Sequence, residues 1–386
     1  MDIKILEQKH KELFHSSPFI TVRSPGRINF IGEHTDYNDG FVFPATIDKA
    51  IRFVASKNSK RLFRFFSYNF DTYFEMEVDS LSKSRVMWAN YLLGVAAQFI
   101  KKGKRLEGVD VVFGGDIPIG AGLSSSAALE TGFALVLNEL SGLNTTRPEM
   151  VKMAQKAEHE YAGVMCGVMD QFVIMHGKKN CAIKLDCRSL NYKYAAVDLH
   201  EYQIVLCNTN VKHSLASSAY NQRRLECERG VEILKNINPQ ITALRDADIT
   251  LLSRAEHKMS ETVYRRCKYV IEENRRVAEA YDALNRNDIK HLGELMMLTH
   301  KGLRDDFEVS CKELDILFDF AEKFDGVAGA RMMGGGFGGC TINLVEKSKI
   351  NRFKKEIAGT CHKITGRQIS IYDVEISDGT SLVMHL

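Results

Sequence analysis

The stretch GGDIPIGAGLSSSAALE, residues 114–130, constrains the fold more than any other part of the chain. It overlaps the end of an apolar run, GVDVVFGG, that reads as a buried strand. It opens into a helical pattern from Ser124 to Leu140, with Gly142 as the C-terminal stop. A strand, a glycine loop and a helix in that order present free backbone N–H groups to an anion. Gly120 and Gly122 permit close backbone approach, and Ser124, Ser125 and Ser126 add hydroxyls. A flexible turn has the same composition, but the strand-loop-helix context favours phosphate. The loop lacks the Lys followed by Ser or Thr that closes a P-loop, so positive charge must reach the phosphates from elsewhere.

The rest of the chain reads as α+β. Strands are expected at FITVRS, AIRFVAS, LFRFFSY and FEMEV, which are rich in β-branched and aromatic residues. A helix is expected over 85–102, and another from the capping-box spacing Thr146–Glu149 to about Tyr161. After EYQIVLCNTN the pattern is helix-rich to about Phe324. It then closes as strand, strand, helix, strand, an order typical of ferredoxin-like units. With 386 residues and 45% hydrophobic content there is material for two domains. The expected division is 1–197 and 198–386.

A net charge of +3 gives no strong field toward nucleic acid or membrane. No apolar run approaches the roughly 18 residues of a membrane span. The polar N-terminal stretch has no signal-peptide core. Nine cysteines without a CxxC pair suit free thiols in a reducing compartment, so a cytoplasmic protein is expected.

Two motifs are decoys. GGGFGG, residues 334–339, fits G-x-G-x-x-G, but CTINLV after it reads as a strand and not the helix that a dinucleotide site requires. HEYAG from His159 begins like a zinc-protease helix but has Gly163 where the second His belongs.

SPGRINFIGEHTDYNDG, residues 24–40, gathers Arg27, Glu33, His34, Asp36 and Asn38 between glycines. Convergent donors and acceptors of this kind suit a polyhydroxylated ligand, since one carboxylate can accept from two vicinal hydroxyls. AEHEYAGVMCGVMDQF brings Glu158 and Asp170 into play; each could hold a cation, orient a hydroxyl or simply cap a helix.

GRINFIGEHTDYNDG, PIGAGLSSSAALE and GARMMGGGFGGC resemble the three motifs of the GHMP small-molecule kinases, the first in a form similar to the galactokinases of that family. CGVMDQF, LDCRSL, VKHSLASSAYNQRR and LRDDFEVSCKELD resemble further galactokinase blocks, in order along most of the chain. Met165 and Met333 stand where Pro and Thr would be expected.

The resemblance implies a two-domain GHMP kinase fold that works as a monomer. It implies ATP-dependent phosphorylation of the C1 hydroxyl of α-D-galactose, the entry step of galactose use by the Leloir pathway. By the same resemblance, Arg27 and Asp170 would flank the reacting hydroxyl. Glu33, His34, Asp36, Gly167, Asp170 and Tyr220 would contact the sugar, and Ser126 and Glu158 would hold Mg²⁺. Gly120, Gly122, Leu123 and Ser124 to Ser126 would wrap the triphosphate, with Trp88 beside the adenine. Non-catalytic galactose sensors of the family lack a Ser-Ala dipeptide at the loop; Ser126-Ala127 is present here.

Overall fold

The structure, a computed structural model, describes residues 1–211 and 216–383. Part of the VKHSLASSAYNQRR block, residues 212–215, lies outside them.

The first half is built on a six-stranded sheet. Its order across the sheet is Ser381–Leu382, Ile20–Asn29, Pro44–Asn58, Gly108–Gly115, Leu62–Ser67, Thr72–Glu77. Neighbours are antiparallel except Leu62–Ser67 on Gly108–Gly115, a parallel pair. Between those two strands the chain passes through the Met87–Lys101 helix, as a parallel pairing requires.

Strand alternation decides what each face meets. Phe53, Ala55, Val111 and Phe113 point into the main core with the helices Met87–Lys101, Ser125–Ser141, Arg147–Ala157 and Met169–His176. Val54, Phe66 and Val112 point the other way, under Leu6 and Phe14 of the Ile3–Phe14 helix.

A second antiparallel sheet runs in the order Val327–Met332, Cys340–Glu346, Tyr202–Asn208, Ser370–Val374. The expected closing block is there, completed by Tyr202–Asn208 as its first strand, which gives the ferredoxin-like order. Leu317 and Phe318, with Phe353 and Ile357, cover one face of this sheet. Ile204, Leu206, Ile342 and Leu344 of the other face belong to the same core as the first sheet. The GGGFGG run does lead into a strand, Cys340–Glu346.

Local chemistry sets the helix ends. Thr146 and Glu149 form both halves of a capping box at Arg147–Ala157. Gly142 and Gly366 take the left-handed conformation that ends Ser125–Ser141 and Ile350–Thr365. One expectation differs in detail. The helix toward Tyr161 is α-helical only to Ala157 and widens into a π-turn over Glu158–Ala162, a distortion common at functional sites.

Residues past the ferredoxin-like block return to the first sheet. Ser381 and Leu382 pair with Arg23 and Val22, and the Thr380 hydroxyl meets that of Ser24 at 2.9 Å.

Within the second half, the Ile289–Asp305 helix lies directly on Val327–Met332. A Cβ on Gly293 would stand 1.8 Å from the Ala328 carbonyl oxygen, whereas one on Gly359 would meet nothing within 4 Å. Gly293→Ala is therefore expected to destabilise the protein by at least about 1–3 kcal/mol, the usual scale of overpacking. Gly359→Ala, inside a helix, is expected to stabilise it by up to about 1 kcal/mol. Denaturant unfolding of the two variants checks both signs.

Candidate active site

Arg27 lies on the first strand, past a register break between Pro25 and Arg27. Asp170 lies in the first turn of the Met169–His176 helix. The two meet as a fork: Nε donates to Oδ1 at 2.7 Å and Nη2 to Oδ2 at 2.9 Å. Arg27 Nη1 donates to the Gly122 carbonyl, and the Arg27 backbone N–H to that of Leu123 at 3.2 Å. Burial alone would lower the guanidinium pKa, but Asp170 first and Glu33 next raise it overall. Arg27 is thus a fixed cation, 4% exposed, tied at once to the acid and to the glycine loop.

Beside this pair is a cavity of about 250 Å³, small among ligand sites and of the order of a monosaccharide. Arg27, Glu33, His34, Asp36, Glu158, Gly167, Asp170 and Tyr220 line it, so eight of the residues expected from sequence converge. The sugar-like motif reaches the cavity by turning sharply at Gly32 (φ +98°) and His34 (φ +61°).

Each side chain has a defined state. Glu33 spends Oε1 on Arg331 Nη2 and on the Gly334 N–H, both at 2.8 Å. Burial pushes its pKa up, but Arg331 and then Arg27 bring it below the usual range. It serves first as a buried brace, with only its remaining oxygen free for a ligand. The His34 Nδ1 pairs with the Tyr37 hydroxyl at 2.8 Å, and burial drives its pKa down to about 4, so the ring is neutral. Tyr220 packs its ring 5.2 Å from that of His34.

Asp36 is pushed up to about 7, first by burial and then by Asp170. A Cβ on Gly167 would lie 2.0 Å from Asp36 Oδ2, so the glycine is what lets that carboxylate enter the cavity.

A second acidic group lies behind the cavity. Glu158, delivered by the π-turn, is pushed up to about 7 by burial and then by Asp170, with the Ser126 hydroxyl opposing. Gln171 Nε2 bridges Glu158 at 2.8 Å and Glu130 at 3.1 Å. Glu130, fully buried, has its pKa raised well above the ordinary value by burial and then by Glu158.

Glu130, Gln171 and Arg331 are not among the site residues expected from the sequence. The signal was present for Glu130 and Arg331, since a charged residue within an apolar or glycine-rich run has to be paired or functional.

The glycine loop holds its shape through positive φ at Gly120 (+74°), Gly122 (+73°) and Ser124 (+58°). The third motif braces it at close range: a Cβ on Gly122 would be 3.1 Å from the Met333 carbonyl oxygen, and one on Gly334 3.2 Å from that of Gly122. Met333, at a position where Thr was expected, is buried and accepts the Asn29 N–H on its sulfur at 3.4 Å. The Ser124 hydroxyl faces Asp170 Oδ2 and donates to it. Trp88 stands apart, half-buried and edge-on to Phe113 at 5.4 Å.

Since Asp36 carries a raised folded-state pKa against an ordinary 3.8, the native state keeps a proton that the unfolded chain has lost. The contribution of Asp36 to stability therefore falls as pH rises from about 4 to about 7 and levels off above. Asp36→Asn keeps an acceptor for the Tyr37 N–H and has no charge to bury. Without ligand, it is expected to match wild type in melting temperature near pH 4 and to exceed it by a few degrees at pH 8. Thermal unfolding at the two pH values measures the gap.

Comparison with known proteins gives the same frame. Residues 8–57 match the galactokinase galactose-binding signature, 90–178 the GHMP kinases N terminal domain and 280–363 the GHMP kinases C terminal model. The galactokinase of Roseiflexus sp. is 40% identical, the alignment covering 100% of this chain and 98% of the relative. The galactokinase of Thermotoga maritima is 42% identical, with 94% and 99% covered. The crystal structure of Lactococcus lactis galactokinase complexed with galactose superposes with a TM-score of 0.95 at 35% identity, over 98% of this chain and 99% of that one. Methanococcus jannaschii mevalonate kinase, 16% identical with a TM-score of 0.66, shares the fold. On full-length identity of this order, the chain belongs to the galactokinases of the GHMP kinase family.

Proposed function

We propose that this protein transfers the γ-phosphoryl group of ATP to the C1 hydroxyl of α-D-galactose. The observation that carries the reading is the fork of buried Arg27 on Asp170, joined to a glycine loop and opening on a sugar-sized cavity.

Asp170 orients the C1 hydroxyl and receives its proton as the oxygen bonds to the γ-phosphorus and the bond to ADP breaks. Arg27 has five N–H groups. Two fork onto Asp170 and one onto Gly122, leaving two for the transferring oxygens. Phosphoryl transfer has a loose transition state, so fixed charge and alignment supply most of the catalysis.

The sugar is held by Asp36, accepting from the C3 and axial C4 hydroxyls, with Glu33, His34, Gly167 and Tyr220 around it. In glucose the C4 hydroxyl points away and leaves a buried acceptor unpaired. Sites of this kind can reject such analogues by roughly 10⁴-fold or more, so glucose is expected to be a very poor substrate.

The triphosphate is assigned to Gly120, Gly122, Leu123, Ser125, Ser126 and the N-terminus of Ser125–Ser141. That end carries about half a positive charge. The adenine is assigned near Trp88.

The residues present fit a divalent cation. Glu158 is a buried carboxylate whose pKa burial and then Asp170 raise, so a cation beside it would be favoured, and the Ser126 hydroxyl lies against it. Among the described residues no group of three or more His, Cys, Asp or Glu could hold a metal unaided. Mg²⁺ takes most of its oxygens from phosphate and water and needs only one or two from protein. When bound, it would neutralise charge on the β- and γ-phosphates; Ser126 and Glu158 would hold it.

All nine cysteines are free thiols, and no described helix is long and apolar enough to cross a membrane. Free thiols suit work in a reducing cytoplasm on free sugar and nucleotide.

Asp170→Asn, which leaves Arg27 hydrogen-bonded but without its main countercharge, is expected to be less stable and, as folded protein, to lose about 10²- to 10⁴-fold in turnover, the usual scale for an acid–base group. Arg27→Lys should be severely impaired despite keeping its charge, because an ammonium cannot make the fork. Steady-state assay of ADP release with galactose tests both, and a variant within a few-fold of wild type would remove that residue from the mechanism. For the cation, Ser126→Ala and Glu158→Gln are expected to raise the Mg²⁺ concentration needed for half-maximal rate. Their galactose affinity should be little changed when measured by calorimetry.

A further inference from the structure

We infer that Ser124, although it stands in the phosphate loop, is a positioning residue for Asp170 and not a ligand of the phosphates. The inference rests on the reading of Asp170 given above.

Ser124 occupies the N-cap position of Ser125–Ser141, where a serine normally turns its oxygen back onto the helix N–H groups. It makes no such bond. Its backbone is left-handed, φ +58° and ψ +49°, a conformation unfavourable for a non-glycine residue that persists only where the surroundings impose it. What that conformation does is deliver the hydroxyl to Asp170 Oδ2.

Proton bookkeeping then separates the two roles. A serine hydroxyl has one hydrogen. Given to Asp170, it cannot also be given to a phosphate, and the hydroxyl would then show only lone pairs to an anion. Asp170 in turn has roughly four acceptor directions. Arg27 Nε and Nη2 and Ser124 Oγ occupy three, leaving one for a ligand hydroxyl. The carboxylate is thereby held in one rotamer with one open lone pair.

The adjacent Gly122 and Leu123 carbonyls hold Arg27 by its Nη1 and its backbone N–H. Three consecutive residues of the loop thus fix both members of the reacting pair. The loop that receives nucleotide is also the loop that aims the acid at the sugar.

Ser124→Ala and Ser124→Gly test this together. Glycine adopts the left-handed conformation freely, so the second variant keeps the loop shape and removes only the hydroxyl. Both are expected to lose about 10- to 100-fold in kcat, the scale of a misplaced reacting group. Their Kd for MgATP, measured by calorimetry, should stay within about twofold of wild type. In the Asp170→Asn background, removing the hydroxyl should cause little further loss, because there is no longer an acid to aim.

An ATP Kd weakened about tenfold with kcat preserved would make Ser124 a phosphate ligand. Near-normal kcat in Ser124→Gly would make it a backbone spacer. Fully multiplicative losses with Asp170→Asn would place its role elsewhere. Any of the three overturns the inference. A wild-type protein that does not phosphorylate galactose would instead overturn the underlying reading, so the two failures are distinct.

Discussion

A guanidinium that cannot lose its proton is buried at the meeting point of three motifs, and most of the site follows from satisfying it. Arg27 has to have a countercharge and acceptors within reach, since an unpaired buried charge would cost several kcal/mol. Asp170 supplies the charge, and the loop supplies the carbonyls at Gly122 and Leu123. Asp170 is in this way anchored to the first strand of the chain. The Met169–His176 helix, the glycine loop and the sugar motif are then bound to positions that a small displacement of Arg27 would spoil together.

Around Arg27 the site carries more acid than base. Glu33 is neutralised by Arg331, and Asp170 by Arg27. Among the described residues Asp36, Glu158 and Glu130 have no ion-pair partner, and burial first, then a neighbouring carboxylate, raises their pKa values. A cavity of this kind would repel a bare polyphosphate. It suits a nucleotide that arrives with its own cation, and a sugar whose hydroxyls can donate to the spare carboxylates. On the proposed reading, the charge that a loop lysine would supply has to come from Arg27 and from a cation carried by the nucleotide.

The architecture and most of the site were legible in the sequence because backbone requirements dictate residue type there. A loop that must reach φ +74° at Gly120 and +73° at Gly122 shows as glycine. A helix that starts with a capping box shows as Thr146 and Glu149. Convergence of Arg27, Glu33, His34 and Asp36 was legible because they crowd into a single short motif. What stayed hidden was pairing over long sequence distances. Glu33 meets Arg331 across 298 residues, and nothing local announces that its carboxylate is partly consumed. The direction of the Ser124 hydroxyl was equally invisible, because a serine beside a helix start reads as a cap or a phosphate ligand. Glu130 and Gln171 were passed over because each sits beside a more familiar residue of its motif. The widening of the helix at Glu158 into a π-turn depends on packing that periodicity does not record.

The pairing of Ser381–Leu382 with the first long strand bears on how the chain is made. Arg23 finds the Asp378 carbonyl 355 residues away. Until that late segment leaves the ribosome, the Ile20–Asn29 strand presents an unpaired edge, a ready template for a second chain. Synthesis at about 5–20 residues per second leaves that edge open for tens of seconds. The N-terminal half can condense around its helices in the meantime, yet its sheet is sealed last. During synthesis the sheet thus has a second open edge besides Thr72–Glu77, and it lies on the strand that carries Arg27.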